Sequence, residues 1–436
     1  MKYLKVNDLC QKLIDLHKKY NLTDLEVKVT KNESKSIKTR NVKLENIEKS
    51  SSLNFVLNVY KGKKRASIKN NNFEQINEIE LLERASSMVN SLPEETHSSL
   101  PDATHYPNNI KNLDIFDNEL FSERKLKEMA MEAEEAMLET KNITNTEGAT
   151  ASIVKKSTKI FSSRGFSASY KKSLNSISAI AIAGKDMNMQ RDYEFATSTH
   201  MNDLPVMSTI GKKAANRATS RLMSKKIKSC TLDVVFEPRV AKSILSSFSS
   251  CINGNSIARG TSFLIGKKNK SIFRKGINIT NNPLKDRCIG SVPYDYNGVK
   301  NSNIYLVKDG VLDNYFLNTR SARQLNMKPN GNSSPYNLIL ENGKSSAEEL
   351  IKSIDRGFYV TEMLGMSFNQ VTGDYSRGAT GFMIENGIIT YPVSEVTIAD
   401  NMKNMLMKLL PANDLVINEN INTPTILIEK MSLAGI

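Results

Sequence analysis

The side chains that could hold a catalytic metal are few and widely spaced in this sequence. A catalytic zinc needs three protein ligands and an open position, commonly with two histidines on one helical face. No two histidines are four or five residues apart, so no HExxH or HExxxH helix exists. The four histidines are His17, His97, His105 and His200. His97 and His105 have acidic neighbours, but they lie in a proline-rich segment, which favours a loop over a metal site.

The cysteines do not suggest a metal site either. They are scattered along the chain without a CxxC pair, at Cys10, Cys230, Cys251 and Cys288. A zinc knot would need paired spacings, and a disulfide framework would be sparse in so long a chain. The spacing predicts reduced structural thiols.

Other catalytic patterns also fail. No GxSxG elbow accompanies the histidines, and no GxGxxG motif occurs. Gly260 to Lys268 resembles a phosphate-binding loop, but its glycines are one residue too far apart and no Ser or Thr follows the lysine. No residue is therefore predicted to be catalytic.

One segment has residues suited to binding rather than catalysis. Gly373 to Gly381 is rich in glycine and polar groups, which predicts a loop that can approach a ligand closely. Arg377 could clamp a carboxylate or a peptide carbonyl, and Asp374 could orient it. The alternative is that the pair only fixes the conformation of the loop.

Composition narrows the class of protein. The 436 residues carry a net charge of +14, but the lysines are diluted along the whole chain, so nucleic-acid binding is not expected. No apolar run approaches the roughly 18 residues of a membrane span. Leu9, Leu13 and Leu16 predict an amphipathic first helix rather than a signal peptide, so a cytoplasmic location is expected.

The elements predict an α+β fold, with a helix–strand N-terminal half, mixed or antiparallel sheets and a strand-rich C-terminal domain. We expect an N-terminal subdomain at 1–92, a linker at 93–118, a central helix–strand subdomain at 119–228 and a C-terminal domain at 229–436. Hairpin turns are predicted at Asp309-Gly310 and Asn386-Gly387, with a weaker candidate at Asn342-Gly343.

The C-terminal region resembles the TldD/PmbA family, specifically its PmbA (TldE) branch. The matching segments include Thr372-Gly373-Asp374, Ser376-Arg377-Gly378, Ile384-Glu385-Asn386-Gly387, Tyr391-Pro392-Val393 and, earlier in the chain, Met189-Gln190-Arg191-Asp192-Tyr193. One departure is Asp400, which stands where a glycine is usual after Thr397-Ile398-Ala399. The order and spacing of these segments cover nearly the whole chain.

The resemblance also places the zinc helix of the catalytic TldD branch on this sequence. That HExxxH helix corresponds to Pro238 to Asn253, and its two histidines and its glutamate fall on Leu245, Ser250 and Ser246. Leucine cannot bind a metal, and a neutral serine is a poor ligand and a poor base. The resemblance thus implies no metal in this chain, and a packed core helix at these degenerate positions.

The expected function follows from that resemblance. It implies a subunit of a cytoplasmic TldD/TldE-type zinc metalloprotease that degrades unfolded peptides and trims precursor peptides. The zinc is expected in a TldD-like catalytic subunit, with which this chain would form a heterodimer. Two alternatives stay open: an independent metallopeptidase, and a nucleic-acid or gyrase-associated regulator.

Overall fold

A computed structural model describes residues 2–71, 76–119 and 121–436. The helices are α1 (Lys2–Leu16), α2 (Glu78–Ser91), α3 (Glu123–Leu138), α4 (Met207–Ser220), α5 (Pro238–Cys251), α6 (Gly254–Ala258), α7 (Thr319–Gln324), α8 (Ala347–Lys352) and α9 (Met402–Lys408). None of the helices in these ranges is long and apolar enough to cross a membrane.

The strands outnumber the helices and are longest in the first half. They are β1 (Asp24–Arg40), β2 (Lys43–Lys61), β3 (Lys64–Asn70), β4 (Ile143–Ser162), β5 (Ser167–Ala183), β6 (Gln190–Ser198), β7 (Cys230–Phe236), β8 (Ile279–Asn281), β9 (Ile304–Lys308), β10 (Val311–Leu312), β11 (Leu338–Leu340), β12 (Arg356–Phe368), β13 (Asp374–Glu385), β14 (Ile388–Asn401), β15 (Leu409–Pro411), β16 (Ile421–Asn422) and β17 (Ile426–Ala434). The predicted α+β class is confirmed.

The first half is built on one antiparallel sheet of order β3-β2-β1-β4-β5-β6. Alternate side chains along each strand point to the same face, so one face can be apolar throughout. On that face, α1 and α2 pack over the β1–β3 end and α3 and α4 over the β4–β6 end. Residues 1–92 and 119–228 therefore contribute strands to a single sheet.

A buried carboxylate fixes the long β1–β2 hairpin onto α3. Asn41 and Val42 both have positive φ in the turn, and their backbone N–H groups donate to the two oxygens of Glu134, at 2.8 and 3.1 Å. Glu134 is fully buried, so these bonds replace the water that it loses on folding. No periodicity in the sequence predicts this contact.

The second half contains two mixed sheets. One has the order β10-β9-β8-β11-β16, and the other has the order β14-β13-β12-β7-β17-β15. A further pairing of β14 with β17 closes five strands of the latter into a ring. The largest apolar core lies here, and α5 contributes to it.

Two of the three predicted hairpin turns are present in the structure. Asp309-Gly310 and Asn386-Gly387 form the predicted hairpin turns, with the positive φ angles of a type I′ turn. Asn342-Gly343 is not a hairpin turn, because the chain continues from β11 to α8. Gly343 N–H instead donates to the carbonyl of Ala412 across the fold, at 2.7 Å.

Candidate functional site

Helix α5 covers the segment on which the resemblance predicts the zinc helix of the catalytic branch. Pro238 stands in the first turn, where its missing N–H costs no helical hydrogen bond. The helix follows β7 directly and turns a broad apolar stripe into the C-terminal core. That stripe includes Val240, Ile244, Leu245 and Phe248.

Leu245 and Ser250, two of the three predicted degenerate zinc positions, have different surroundings. Leu245 is 4% exposed and lines an apolar cavity of about 10 Å³ with residues such as Phe248 and Leu406. The hydroxyl of Ser250 donates back to the carbonyl of Ser246 at 3.2 Å, within the same helix. These residues do not fit a zinc ion, because leucine has no lone pair and the serine hydroxyl is neutral.

The scarce histidines do not compensate elsewhere. Across residues 2–71, 76–119 and 121–436, no three His, Cys, Asp or Glu side chains come together as a metal-binding group. His200 contacts Thr199 and Asp114, and His17 is buried against the carbonyl of Ile14.

The head of α5 carries a network of buried ions that joins the two halves of the molecule. Arg239 contacts both oxygens of Asp192 from β6, at 2.6 and 3.3 Å, and its Nε donates to Glu237 at 2.7 Å. Arg221 binds the same aspartate at 3.1 Å and also pairs with Glu362 of β12. The network therefore links the first sheet to α5 and to the C-terminal ring.

The pKa values of the two carboxyl groups in this network, Asp192 and Glu237, shift in opposite directions. Burial would raise the pKa of Asp192, but the hydrogen bond and charge of Arg239 and the charge of Arg221 outweigh it and lower that pKa. Burial dominates at Glu237 and raises its pKa, although Arg239 opposes the shift. The guanidinium groups are already paired with these carboxylates. The network therefore suits a structural contact between the first sheet and the C-terminal half.

A cavity of about 290 Å³ lies beside the network, between β6, α4, the first turn of α5 and residues 414–423. Three of the four cations that line it, Arg217, Arg239 and Lys242, are already paired. Lys242 contacts both oxygens of Glu419 at 2.6 and 2.8 Å, and Arg217 pairs with Glu194. The sequence did not predict this region. Two segments of the sequence could have indicated it: Pro238-Arg239 at the head of a helix, and Arg191-Asp192-Tyr193.

The predicted binding pair Asp374 and Arg377 does not lie in a loop. The turn ends at Gly373 and residues 374–385 form β13, so the loop prediction for Gly373 to Gly381 is wrong. Its glycines have another use: a Cβ on Gly381 would lie 2.0 Å from the carbonyl oxygen of Tyr359 on the neighbouring strand. The glycine composition reflects close strand packing rather than a mobile loop.

The strand separates the two side chains. Positions 374 and 377 are an odd number of residues apart, so they point to opposite faces of the sheet. Asp374 accepts from Thr372 at 2.5 Å and from Asn401 at 3.0 Å, and these bonds lower its pKa. Arg377 shares a face with the buried Tyr375, and its Nε is buried without a hydrogen-bond partner in the described part of the chain. Whether either residue contacts a substrate stays a prediction.

Comparison with known proteins identifies the family of the chain. The family model described as "PmbA/TldA metallopeptidase C-terminal domain" matches residues 229–435, and the model of the central domain of the same family matches residues 117–222. The metalloprotease PmbA of Escherichia coli O157:H7 is 31% identical over 94% of this chain and 92% of its own length. The chain belongs to the PmbA/TldD metallopeptidase family.

Relatives within the family favour the PmbA branch. A PmbA homologue of Buchnera aphidicola subsp. Baizongia pistaciae is 34% identical over 79% of this chain and 78% of its own length. A TldD homologue from Buchnera aphidicola subsp. Acyrthosiphon pisum is 24% identical over 48% of the chain and 46% of its own length.

Solved structures share the fold over nearly the entire chain. A Bacteroides thetaiotaomicron protein described as a modulator of DNA gyrase superposes with a TM-score of 0.91 at 26% identity, covering 99% of both chains. TldE from Thermococcus kodakarensis has a TM-score of 0.86 at 19% identity, covering 98% of this chain and all of its own.

Proposed function

We propose that this chain is the TldE-like subunit of a cytoplasmic TldD/TldE-type peptidase, and that it holds no zinc itself. Its TldD-like partner would supply the zinc and the catalytic base. Together the two subunits would degrade unfolded peptides and trim precursor peptides. The observation that carries this proposal is the burial of Leu245 in the core, at a position where the catalytic branch has a zinc ligand.

The chemistry of α5 supports a structural role within such a complex. A metal-activated water needs an open coordination position and a base within hydrogen-bond reach. Leu245 instead lines a small apolar cavity, and the hydroxyl of Ser250 is directed to its own helix. The head of the same helix is tied to β6 by the buried pair of Arg239 with Asp192, and Arg221 links the same aspartate to Glu362 of β12.

Reconstitution with the partner tests this function. The purified chain, a purified TldD-like subunit and a mixture of the two are assayed on the same unfolded peptide. We expect no turnover by this chain alone and the highest turnover in the mixture. Turnover by this chain alone that a strong chelator abolishes and zinc restores would favour the independent metallopeptidase.

The second candidate is a nucleic-acid or gyrase-associated regulator. The net charge of +14 favours it, as does the description of the Bacteroides relative. Diffuse lysines neutralise phosphates without reading bases, so their binding should be lost between low and physiological salt. Sequence-selective DNA binding at physiological salt would support this second candidate over the first.

A further inference from the structure

A cavity of about 640 Å³ lies between the first sheet and the segment that leads to α3. One wall comes from residues 110–118, and the other comes from the paired strands β4 and β5. Its volume is within the range of about 300–1,000 Å³ that is usual for sites of small organic ligands. The residues that the two strands contribute are Ser157, Lys159, Ser169, Tyr170 and Lys171.

Four of these residues lie on the same face of the sheet. Ser157 is the partner of Lys171 across the β4–β5 ladder, and Lys159 is the partner of Ser169. Side chains two residues apart on a strand share a face, and directly opposite residues have Cβ atoms about 4.5–5.5 Å apart. The ladder therefore places two hydroxyls and two ammonium-bearing side chains side by side on one wall of the cavity.

This wall lies between two apolar cores on the face that bears the helices. Ala151 and Ile153 of β4 pack in the core with α3 and α4, whereas Phe161 packs in the core with α1 and α2. The polar stretch between them, residues 155–159, belongs to neither core. The strands below the cavity are thus held at both ends, while their polar side chains stay open to a ligand.

The ammonium group of Lys171 is available within this cavity. Lys171 is exposed, and its Nζ lies 5.2 Å from the ring centroid of Phe116, which belongs to the opposite wall. This contact directs the ammonium group across the cavity. Lys171 has no carboxylate or hydrogen-bond partner among the described residues. The Nζ of Lys155 lies 5.4 Å from the same ring and adds a second positive charge nearby.

The hydroxyls of Ser157 and Ser169 are also unused. Neither hydroxyl makes a hydrogen bond within the part of the chain that the structure describes. Ser169 is exposed and Ser157 is half-buried, and neither oxygen is closed off from solvent. A ligand in the cavity can therefore reach both hydroxyls.

The charges of the wall favour an anion. Asp114 is the carboxylate among the residues that line the cavity, and it is already paired with Arg287 at 2.7 Å. Lys111 is likewise paired with Asp286, at 3.1 Å. Lys171 thus contributes a positive charge that no described carboxylate offsets.

We propose that this cavity binds a small organic phosphate monoester. The phosphate oxygens accept hydrogen bonds from Nζ of Lys171 and from the hydroxyls of Ser157 and Ser169. A phosphate monoester has three terminal acceptor oxygens, which matches three separate donors better than the two oxygens of a carboxylate. The organic part lies along Ile110 and Phe116 of the other wall. The inference does not depend on the peptidase assignment.

Calorimetric titration of the full chain at physiological ionic strength tests the site. The probes are phenyl phosphate, inorganic phosphate and benzoate. We expect saturable binding of one phenyl phosphate per chain, tighter than that of inorganic phosphate, because the ring contacts the apolar part of the wall. Absence of saturable phenyl phosphate binding would overturn the site. Equally tight binding of benzoate would overturn the assignment to phosphate, and equally tight binding of inorganic phosphate would overturn the contact with the organic part.

Two lysine variants locate the binding. Lys171→Gln should weaken phenyl phosphate binding about tenfold or more, because it removes a charge-assisted donor. Lys156→Gln is the matched control: Lys156 is exposed on β4, is the partner of Lys172 on the opposite face and does not line the cavity. Its affinity should be unchanged. Equal losses in the two variants would show diffuse attraction only and would overturn the site.

A double variant, Ser157→Ala with Ser169→Ala, tests the hydroxyl contacts separately from the charge. Both serines lie outside the apolar cores, so the melting temperature without ligand should be unchanged. Affinity for phenyl phosphate should fall about threefold or more, because two hydrogen bonds are lost. Unchanged affinity in this variant would contradict the assigned contacts, even if Lys171→Gln weakened binding.

Discussion

The two ends of helix α5 make different kinds of contact. Its first turn bears Arg239 and Lys242, whose charges reach across to other elements of the fold. Its later turns bear Leu245 and Ser250, which contact the apolar core and the helix's own backbone. The first end joins the first sheet to the C-terminal half, whereas the later turns pack within the C-terminal core.

This difference shows which positions of α5 are set by packing and which by charge. If the chain holds no zinc, as proposed, the later turns of α5 need only residues that suit the core or the helix's own backbone. Its head still has to fix the geometry between the first sheet and the C-terminal ring. We therefore predict that α5 contributes to stability through the pairing of Arg239 with Asp192 and through Leu245, with little contribution from Ser250.

Removing the shared carboxylate should have the largest effect. Asp192→Ala leaves Arg239 and Arg221 buried without their common partner, and both side chains are below 10% exposed. Breaking a buried ion pair by deleting one partner costs roughly 3–5 kcal/mol. Urea unfolding measures this loss of free energy of unfolding.

A neighbouring pair provides the control for this variant. Arg191 pairs with Glu147 at 2.7 Å, but both side chains are more than 40% exposed. Arg191→Ala should therefore cost less than about 1 kcal/mol. Comparable losses for Asp192→Ala and Arg191→Ala would remove the structural role assigned to the network.

Leu245→Ala tests the other end of the helix. The substitution enlarges an existing apolar cavity, so we expect a loss of about 2–5 kcal/mol in the free energy of unfolding. Ser250→Ala is exposed and should change it by no more than about 0.5 kcal/mol. Equal effects of the two substitutions would mean that α5 is not packed as described.

The sequence predicted the elements of this comparison better than their contacts. The resemblance predicted a helix over Pro238 to Asn253, and the apolar stripe through Ile244 and Phe248 is typical of a buried helical face. The pairing of Arg239 with Asp192 joins residues 47 positions apart, and no local pattern encodes such a contact.

The same limit explains the errors in the strands. The sequence pattern predicts two strands here, Ala149 to Lys156 and Lys159 to Ser162, whereas the pairing of β4 with β5 continues through Ser157 and Thr158. β13 was predicted to begin with a loop because Gly378 and Gly381 are typical of loops. Their close approach to β12 depends on the tertiary fold.

The carboxyl group of Asp295, at another contact between the two halves, should make the stability of the fold depend on pH. Burial raises the pKa of Asp295 to about 7, although backbone N–H groups of Val299 and Asn297 and the charge of Lys28 oppose the shift, and Glu26 adds to it. An unfolded aspartate has a pKa of about 3.9. Between these values the folded chain binds more protons, so stability should fall as pH rises from about 4 to 7.

Asp295→Asn should flatten that dependence. The asparagine can still accept the backbone bonds that Oδ1 makes with Asn297 and Val299, at 2.8 and 2.9 Å, but it cannot ionise. Urea unfolding at pH 5 and pH 7 should show a smaller loss for the variant, with a difference of at most about 1.4 kcal/mol per pH unit. Parallel profiles for the two proteins would refute the assignment to Asp295.

Arg377→Ala is expected to have the smallest effect and decides between two roles. If Arg377 only supports β13 beside Tyr375, the melting temperature should fall slightly, with turnover per folded complex unchanged. If it lines the substrate path, turnover by the complex with the TldD-like subunit should fall while the melting temperature is kept. We expect the structural outcome, because its Nε is buried. No change in either quantity would refute both roles.

The most direct test of the central claim is the zinc content of the purified chain. The chain is dialysed against a weak chelator and analysed for metal, with the TldD-like subunit treated in parallel. Because Leu245, Ser246 and Ser250 provide no suitable ligand set, we predict zinc far below one ion per chain here and about one per chain in the partner. A tightly held zinc at about one per chain would contradict the account.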